Sequence, residues 1–469
     1  MIFKKIFTVM LLSILMVSFA IAQNKPGSQT SEPKKLDLEK FRNERMQRMQ
    51  NFKKGRGGTG SLNEALANPT GVKNLILRGD SLTSLTPRIK EIVELEKLDV
   101  SNNKLTDLPQ ELAALANLRE LKLNDNQFTN IPAVIFKLKN LEVLEISGNK
   151  ISILSGDFSN LVKLRRFAIS GNNINSITVD FSRLIELRDF EIAKNKLSSL
   201  PESFYSLKSL SSLNLNENEM TTLSPRISAL ESLSKLDIES NKLKTLPKEI
   251  GQLKNLKLLS LKKNILDSLP EDFGNLPTLF RLDLSETKIP HFPKSFGKLS
   301  TLSNLAMNNN QLKEFPKSIT DMVSLHELNF DDNLLTSLPA DLEKLKSLSS
   351  VSFKNNSFTE IPDILSKLEQ LRKIDMSGNK IKTVGPSIGK LVEIQILILN
   401  QNEITSLPKE ITNLVKLRTL SVSDNKISNL PAGLENLKQL RIFTLKGNPI
   451  SDDTKDNLKK SLPMTRLIY

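Results

Sequence analysis

Two histidines, His291 and His326, are the only imidazoles in this chain of 469 residues, and cysteine is absent. That inventory removes most side chains that transfer protons or attack as nucleophiles near neutral pH. Without thiols there is no disulfide framework, no thiolate metal site and no acylated N-terminal cysteine. Two imidazoles cannot build a three-histidine centre, and both are read as local turn and strand residues. Neither a G-x-x-x-x-G-K-[ST] phosphate loop nor an H-E-x-x-H zinc pair occurs. Carboxylates remain. Asp99, Glu145, Glu191, Asp237, Asp283 and Asp375 share one column of a regular spacing, and hard cations such as Ca²⁺ take oxygen ligands. Ala168, Ser260 and Ala306 interrupt that column, so neither a metal nor a cofactor is assigned, and the sequence reads as non-enzymatic.

The spacing that defines those columns comes from asparagine. Asn103, Asn126, Asn149, Asn172, Asn195, Asn218, Asn241 and Asn264 stand 23 residues apart, and after Thr287 the frame resumes at Asn310, Asn333, Asn356, Asn379, Asn402, Asn425 and Asn448. Asp80 extends it backward, giving seventeen frame positions without insertion or deletion. Apolar residues keep fixed places around each, as Leu98, Val100, Leu105, Leu108, Leu112, Leu115 and Leu118 do around Asn103. Leucine fills 81 of the 469 positions while aromatics make up 5%, so one aliphatic residue supplies most of the core.

Each unit reads as one coil. Leu98-Asp99-Val100 alternates as a short strand. The Leu-Pro step that follows, as at Leu108-Pro109 or Leu246-Pro247, ends the strand because proline lacks an N–H donor. Apolar residues at spacing three then return the chain in short helical or extended form. The asparagine amide satisfies backbone groups that the turn leaves inside the coil, so the fifteen asparagines form a structural ladder and are not binding candidates. Thr287 breaks the ladder, and the early Pro290 beside it points to a local irregularity. Proline is missing beside Leu154 and Ile177, so the stretch 155–180 is expected to turn differently.

The pattern L-x-x-L-x-L-x-x-N-x-L-x-x-L-P-x-x-[IL]-x-x-L-x-x resembles the leucine-rich repeat family, and more narrowly the secreted 23-residue-repeat proteins of host-associated bacteria. The resemblance implies an α/β solenoid: a right-handed arc with a concave parallel sheet of about 17 strands and an irregular or short-helical convex side. It also implies an N-terminal cap over 61–71, the solenoid over 72–448 and a C-terminal cap over 449–469. Leucine-rich repeat effectors that act as ubiquitin ligases carry a cysteine domain that this chain lacks.

Solenoids of this kind hold partners on the concave sheet. Its outward residues lie six, four and two positions before each asparagine, where ten basic and eleven acidic side chains nearly cancel. A nucleic-acid binder needs a continuous basic stripe and stacking aromatics, and this face has neither. Apolar residues in outward places are the informative exceptions. Val143, Leu258, Ile396, Ile398 and Ile442 are candidate contacts for a protein partner, with Ile396, Ile398 and Ile442 the best cluster. Arg166 and Arg281 are secondary candidates, arginine being enriched at binding hot spots.

The remaining charge is largely terminal. Lys4 and Lys5 precede an apolar run ending in Ala20-Ile21-Ala22, the form of a signal peptide over 1–22. Residues 23–60 form a basic linker in which 34–56 reads either as an amphipathic helix or as a solvated spacer. The expected protein is secreted, periplasmic or on the cell surface, and binds a protein partner there, a host protein among the alternatives. The competing reading is an envelope scaffold held to membrane or polyanion through 34–56. Partner identity and oligomeric state are not written in the sequence.

Overall fold

The computed structural model describes residues 58–59 and 61–469. The expected signal peptide and nearly all of the basic linker, including the alternatives for 34–56, lie outside the described residues.

Every coil contributes one three-residue strand to a single parallel sheet, from Asn74–Ile76 to Ile442–Thr444. Among the described residues the sheet has 19 strands, where about 17 are expected. Gly58–Thr59, placed in the linker by sequence, pairs with Asn74 and Leu75. Arg466–Ile468, placed in the C-terminal cap, pairs with Ile442–Thr444. The ladder also begins one residue earlier than the alternation suggests, as in Lys97–Asp99, where only Leu98 is buried. Val100 follows the strand, with its N–H donated to Lys122 O of the next coil.

Directly before each asparagine frame position the backbone turns left-handed. All seventeen coils do this, on glycine at Gly79, Gly148, Gly171, Gly378 and Gly447, and elsewhere on residues such as Asn102, Lys194, Glu217, Lys263 and Gln401. A left-handed non-glycine residue costs about 1–2 kcal/mol, so the surrounding bonds must hold it. The asparagine supplies them. In the seventh coil Asn218 Nδ2 donates to Leu215 O of its own turn and to Ile192 O of the preceding coil, both at 3.0 Å. Its Oδ1 accepts from Leu197 N at 3.0 Å. Asn103 Nδ2 makes the same two bonds to Val100 O and Leu77 O at 2.8 Å, and the pattern runs to Asn448 at the last coil.

The return path is a 3-10 turn, not an α-helix. Segments such as Gln110–Ala114 and Lys248–Gln252 have only five residues in which to reverse, and the tighter helix suits that length. Pro109 and Pro247 open them in extended conformation. Across 155–180 the chain departs as expected: Ile153–Leu154 and Ser176–Ile177 form a separate two-stranded parallel sheet. Thr178 stands where most coils have proline, and its N–H reaches Leu154 O at 2.9 Å. Proline has no hydrogen to give there.

Inside, the leucine columns are essentially inaccessible, with Leu98, Val100, Leu105, Leu112, Leu118 and Leu121 all at 0–1% exposure. Each fully buried aliphatic side chain contributes about 1.5–3 kcal/mol, and each is shared with the coil on either side. Phe158, Phe167, Phe181, Phe190 and Phe204 make a file of rings with centroids 5.2–5.7 Å apart. On the 3-10 side, Gly251, Gly274 and Gly297 occupy one place in three successive coils, and a Cβ on each would overlap the carbonyl of Asp272, Ser295 and Ser318 respectively. At the ends, a helix Leu62–Ala67 precedes the first coil and a helix Asp452–Ser461 follows the last. Ser451 caps the latter, its hydroxyl accepting from Thr454 N, and the helix buries Leu458. No helix among the described residues is long and apolar enough to cross a membrane.

Candidate binding face

Strand residues on either side of each buried central residue point away from the core, so the long sheet presents parallel columns set one coil apart. Long side chains of opposite sign in neighbouring coils meet across about 4.8 Å. In the N-terminal half they do so repeatedly. Lys97 of the neighbouring coil and Lys122 of the same strand lie 3.0 and 2.8 Å from Glu120. Partial burial alone would raise the Glu120 carboxyl, but hydrogen bonds from Lys122 and Lys97 outweigh it and hold the group below the ordinary range. Arg166 bridges Glu191 at 2.7 Å and Glu145 at 3.4 Å. Within one strand Lys235 pairs with Asp237 at 2.9 Å, and Lys262 lies between Glu239 and Glu286 of the coils on either side.

Val143 and Leu258 are half-buried single aliphatics within this charged region. Val143 lies between Glu120 and Arg166, and Leu258 between Lys235 and Arg281. Nothing apolar joins them to each other. Arg166 is engaged by two carboxylates, which leaves it less available than its residue type suggests. Arg281 is exposed and borders a depression of about 800 Å³ that runs to Lys373 and Asp375. On its floor Asp331 is partly buried, which pushes its carboxyl above the ordinary range against the bonds it accepts from Ser352 Oγ and Lys354 N; Asp375 and Asp332 push it the same way as burial.

Beyond Asp375 the character changes. Ile396 lies opposite Thr419, and Thr419 opposite Ile442; Ile398 lies opposite Ser421, and Ser421 opposite Thr444. Six outward residues on three adjacent strands therefore carry no charge. Ile442 is 36% exposed, and Ile396 and Ile398 are half-buried. The hydroxyls are turned toward each other and away from the solvent: Ser421 Oγ donates to Asn400 Oδ1 at 2.8 Å and lies 2.5 Å from Thr444 Oγ1. The Ser421 and Thr444 hydroxyls thereby satisfy each other within the sheet.

Sequence reasoning brings Ile396, Ile398 and Ile442 together here, but misses Thr419, Ser421 and Thr444, which the 23-residue frame aligns with them. It also misses Ile468, paired with Thr444. That strand follows its neighbour by 24 residues and so falls out of frame. His326 takes no part; its Nδ1 lies 2.7 Å from Ser324 O in the turn before the strand. No cluster of metal-ligating side chains occurs among the described residues.

Models of leucine-rich repeats match residues 116–174, 231–289 and 392–450, a leucine-rich repeat region model matches 271–384, and a two-copy repeat model matches 93–135. The structure of a leucine-rich repeat protein from Leptospira interrogans is 34% identical, with a TM-score of 0.75, covering 88% of this chain and 99% of that one. The Arabidopsis receptor kinase HAESA, solved with the peptide hormone IDA and a co-receptor, is 23% identical with a TM-score of 0.53, covering 82% of this chain and 72% of that one. The ectodomain of the Arabidopsis receptor kinase GASSHO1/SCHENGEN3, solved with CASPARIAN STRIP INTEGRITY FACTOR 2, is 24% identical with a TM-score of 0.51, covering 85% and 55%. Both plant proteins share the fold. Comparison with curated proteins gives no match.

Proposed function

The chain belongs to the leucine-rich repeat family, and from that membership we propose that it is a non-enzymatic protein-binding module. Its binding surface is the strand face between Ile396 and Thr444. The observation that carries this reading is the uncharged tract over three strands, Ile396–Ile398, Thr419–Ser421 and Ile442–Thr444. It lies between the Lys373–Asp375 strand and Arg466. An apolar centre with a polar rim is how protein interfaces are built. Elsewhere on the sheet, side chains that satisfy one another have less to offer a partner. HAESA, of the same fold, was solved holding a peptide. The chemistry-bearing residues support the absence of catalysis, since two separated histidines and no thiol leave little to activate a nucleophile.

We place this activity outside the cytoplasm, on the strength of Lys4, Lys5, the apolar run and Ala20-Ile21-Ala22, with a host or cell-surface protein as the partner. Cell fractionation with a pull-down by protein starting at Gln23 identifies compartment and partner together. Against that partner, the triple variant Ile396→Ser, Ile398→Ser, Ile442→Ser is expected to bind roughly a hundredfold more weakly. That corresponds to about 1 kcal/mol for each truncated contact. Calorimetry showing unchanged affinity in a folded triple variant would remove the site from this face.

A further inference from the structure

We propose that the flank of the solenoid from Ile265 to Leu338 is a second docking surface, shaped for an extended acidic peptide carrying apolar side chains. It lies on the segments that leave the strands, away from the strand face.

The flank is irregular for a reason legible in the backbone. Thr287 has one hydroxyl where other coils have an amide, and its Oγ1 donates to Leu284 O at 2.7 Å. Asn310 Oδ1 then accepts from both Thr287 N at 2.9 Å and Lys288 N at 2.8 Å. Lys288 and Gln311 are left-handed as well, at φ 58° and 60°, in addition to the usual turn at Glu286 and Asn309; around Gln311 it is Asn333 Oδ1 that accepts, from Asn310 N and Leu312 N. The chain leaves these two strands by a different path. Three depressions of about 340, 380 and 610 Å³ follow one another along it. Pro290 lines the first and second, and Glu314, Phe315 and Lys317 line the second and third.

Their lining combines exposed aliphatic side chains with exposed lysines. Ile265 is 53% exposed and Leu334 is 46% exposed, high values for large aliphatics. Between them Phe292 is half-buried, with its ring 4.9 Å from that of Phe296. Lys288, Lys294, Lys313 and Lys317 are exposed along the rim, and none of them forms an ion pair with a described residue. Some flank lysines elsewhere are paired from coil to coil, as Lys208 is with Glu231, Lys242 with Glu219 and Lys426 with Glu403; what sets this flank apart is that its unpaired lysines line neighbouring depressions beside exposed aliphatics. Only Asp267 and Glu314 oppose the four lysines within the depressions.

Charge complementarity thus selects an acidic occupant, and the exposed aliphatics select one with apolar side chains. Ile265 and Leu334 belong to coils three apart, roughly 14 Å at about 4.8 Å per coil, which an extended segment of about five residues spans. One partly covered phenylalanine does not make the series of stacking rings that single-stranded nucleic acid needs.

The test uses fluorescence anisotropy with protein starting at Gln23 and a labelled peptide Glu-Phe-Asp-Leu-Glu-Phe. Two control peptides replace its acids by Gln and Asn, or its apolar residues by Ser and Gly. Expected is saturable binding that weakens with added salt. It should weaken at least tenfold in Lys294→Glu/Lys317→Glu, and likewise in Leu334→Ser, and be unchanged in the Ile396/Ile398/Ile442 serine variant. Retained binding in that serine variant separates this surface from the strand-face reading, which stands or falls on its own partner. No binding, equal binding of either control peptide, or full affinity in folded Lys294→Glu/Lys317→Glu would overturn the proposal. The last two would show general electrostatics or a different location.

Discussion

Replacing Asn218 by alanine is expected to destabilise the solenoid by about 4 kcal/mol, from leaving three buried backbone groups without their partner at roughly 1–3 kcal/mol each. The groups are Ile192 O, Leu215 O and the N–H of Leu197. They belong to two coils, at a site where Asn218 itself is only 6% exposed to solvent. Threonine should do about half the damage. Thr287 shows why: its hydroxyl keeps the bond to the carbonyl of its own turn and gives no second donor to the preceding coil. Because each coil contacts chiefly its neighbours, the loss should appear first locally. Hydrogen exchange of the Leu197 amide, which loses its acceptor, should accelerate before distant coils respond, and urea unfolding should order wild type, Asn218→Thr and Asn218→Ala by falling stability. An alanine variant within about 1 kcal/mol of wild type, the low end for a single unsatisfied group, would mean the ladder is not what holds the coils.

A methyl group at Gly274 is expected to cost about 2–3 kcal/mol, the upper part of the range for overpacking a close-packed site. Gly274 is buried in the turn Glu271–Asn275, and its added Cβ would meet the carbonyl carbon and oxygen of Ser295 in the next coil. Backbone cannot rotate aside as a side chain would, so the coils must part there, and the hydroxyl of Ser295 would lose its bond to Glu271 O. Gly385→Ala is the matched control. Gly385 has φ −70° and only side-chain atoms at 3.7 Å near its Cβ position. Removing glycine's unfolded freedom there should stabilise by about 0.4–1 kcal/mol. Thermal melts of the two variants should therefore move in opposite directions; a shared direction would show that space beside Gly274 is not the constraint.

The repeat was legible because its cause is local and periodic. A 23-residue asparagine frame, leucine at fixed places and the Leu-Pro step determine strand, turn and return in each coil, and residues such as Asn218 and Leu98 sit where that spacing puts them. The left-handed turn before each asparagine was not legible, since Lys194, Glu217 and Gln401 have no propensity for it and adopt it only because the ladder fixes both sides. Strands Gly58–Thr59 and Arg466–Ile468 escaped because each joins the sheet outside the frame. Of the candidate face, the isoleucine cluster could be read from columns alone. The engagement of Arg166 by Glu145 and Glu191 follows from the same columns, but only with the neighbouring coils laid side by side. Thr287 announced an irregularity without its consequence, because the opening of the flank depends on which amides Asn310 accepts from.

Whether the strand face receives the partner can be decided by placing a benzophenone side chain at one position and irradiating the complex. Thr419 lies at the centre of the uncharged tract, flanked by Ile396 and Ile442. Lys367 is exposed on the 3-10 turn Asp363–Lys367 of the opposite side. Covalent capture of the partner from position 419 and none from 367 is the expected result. Capture from 367 with none from 419 would contradict a partner-binding role for this sheet.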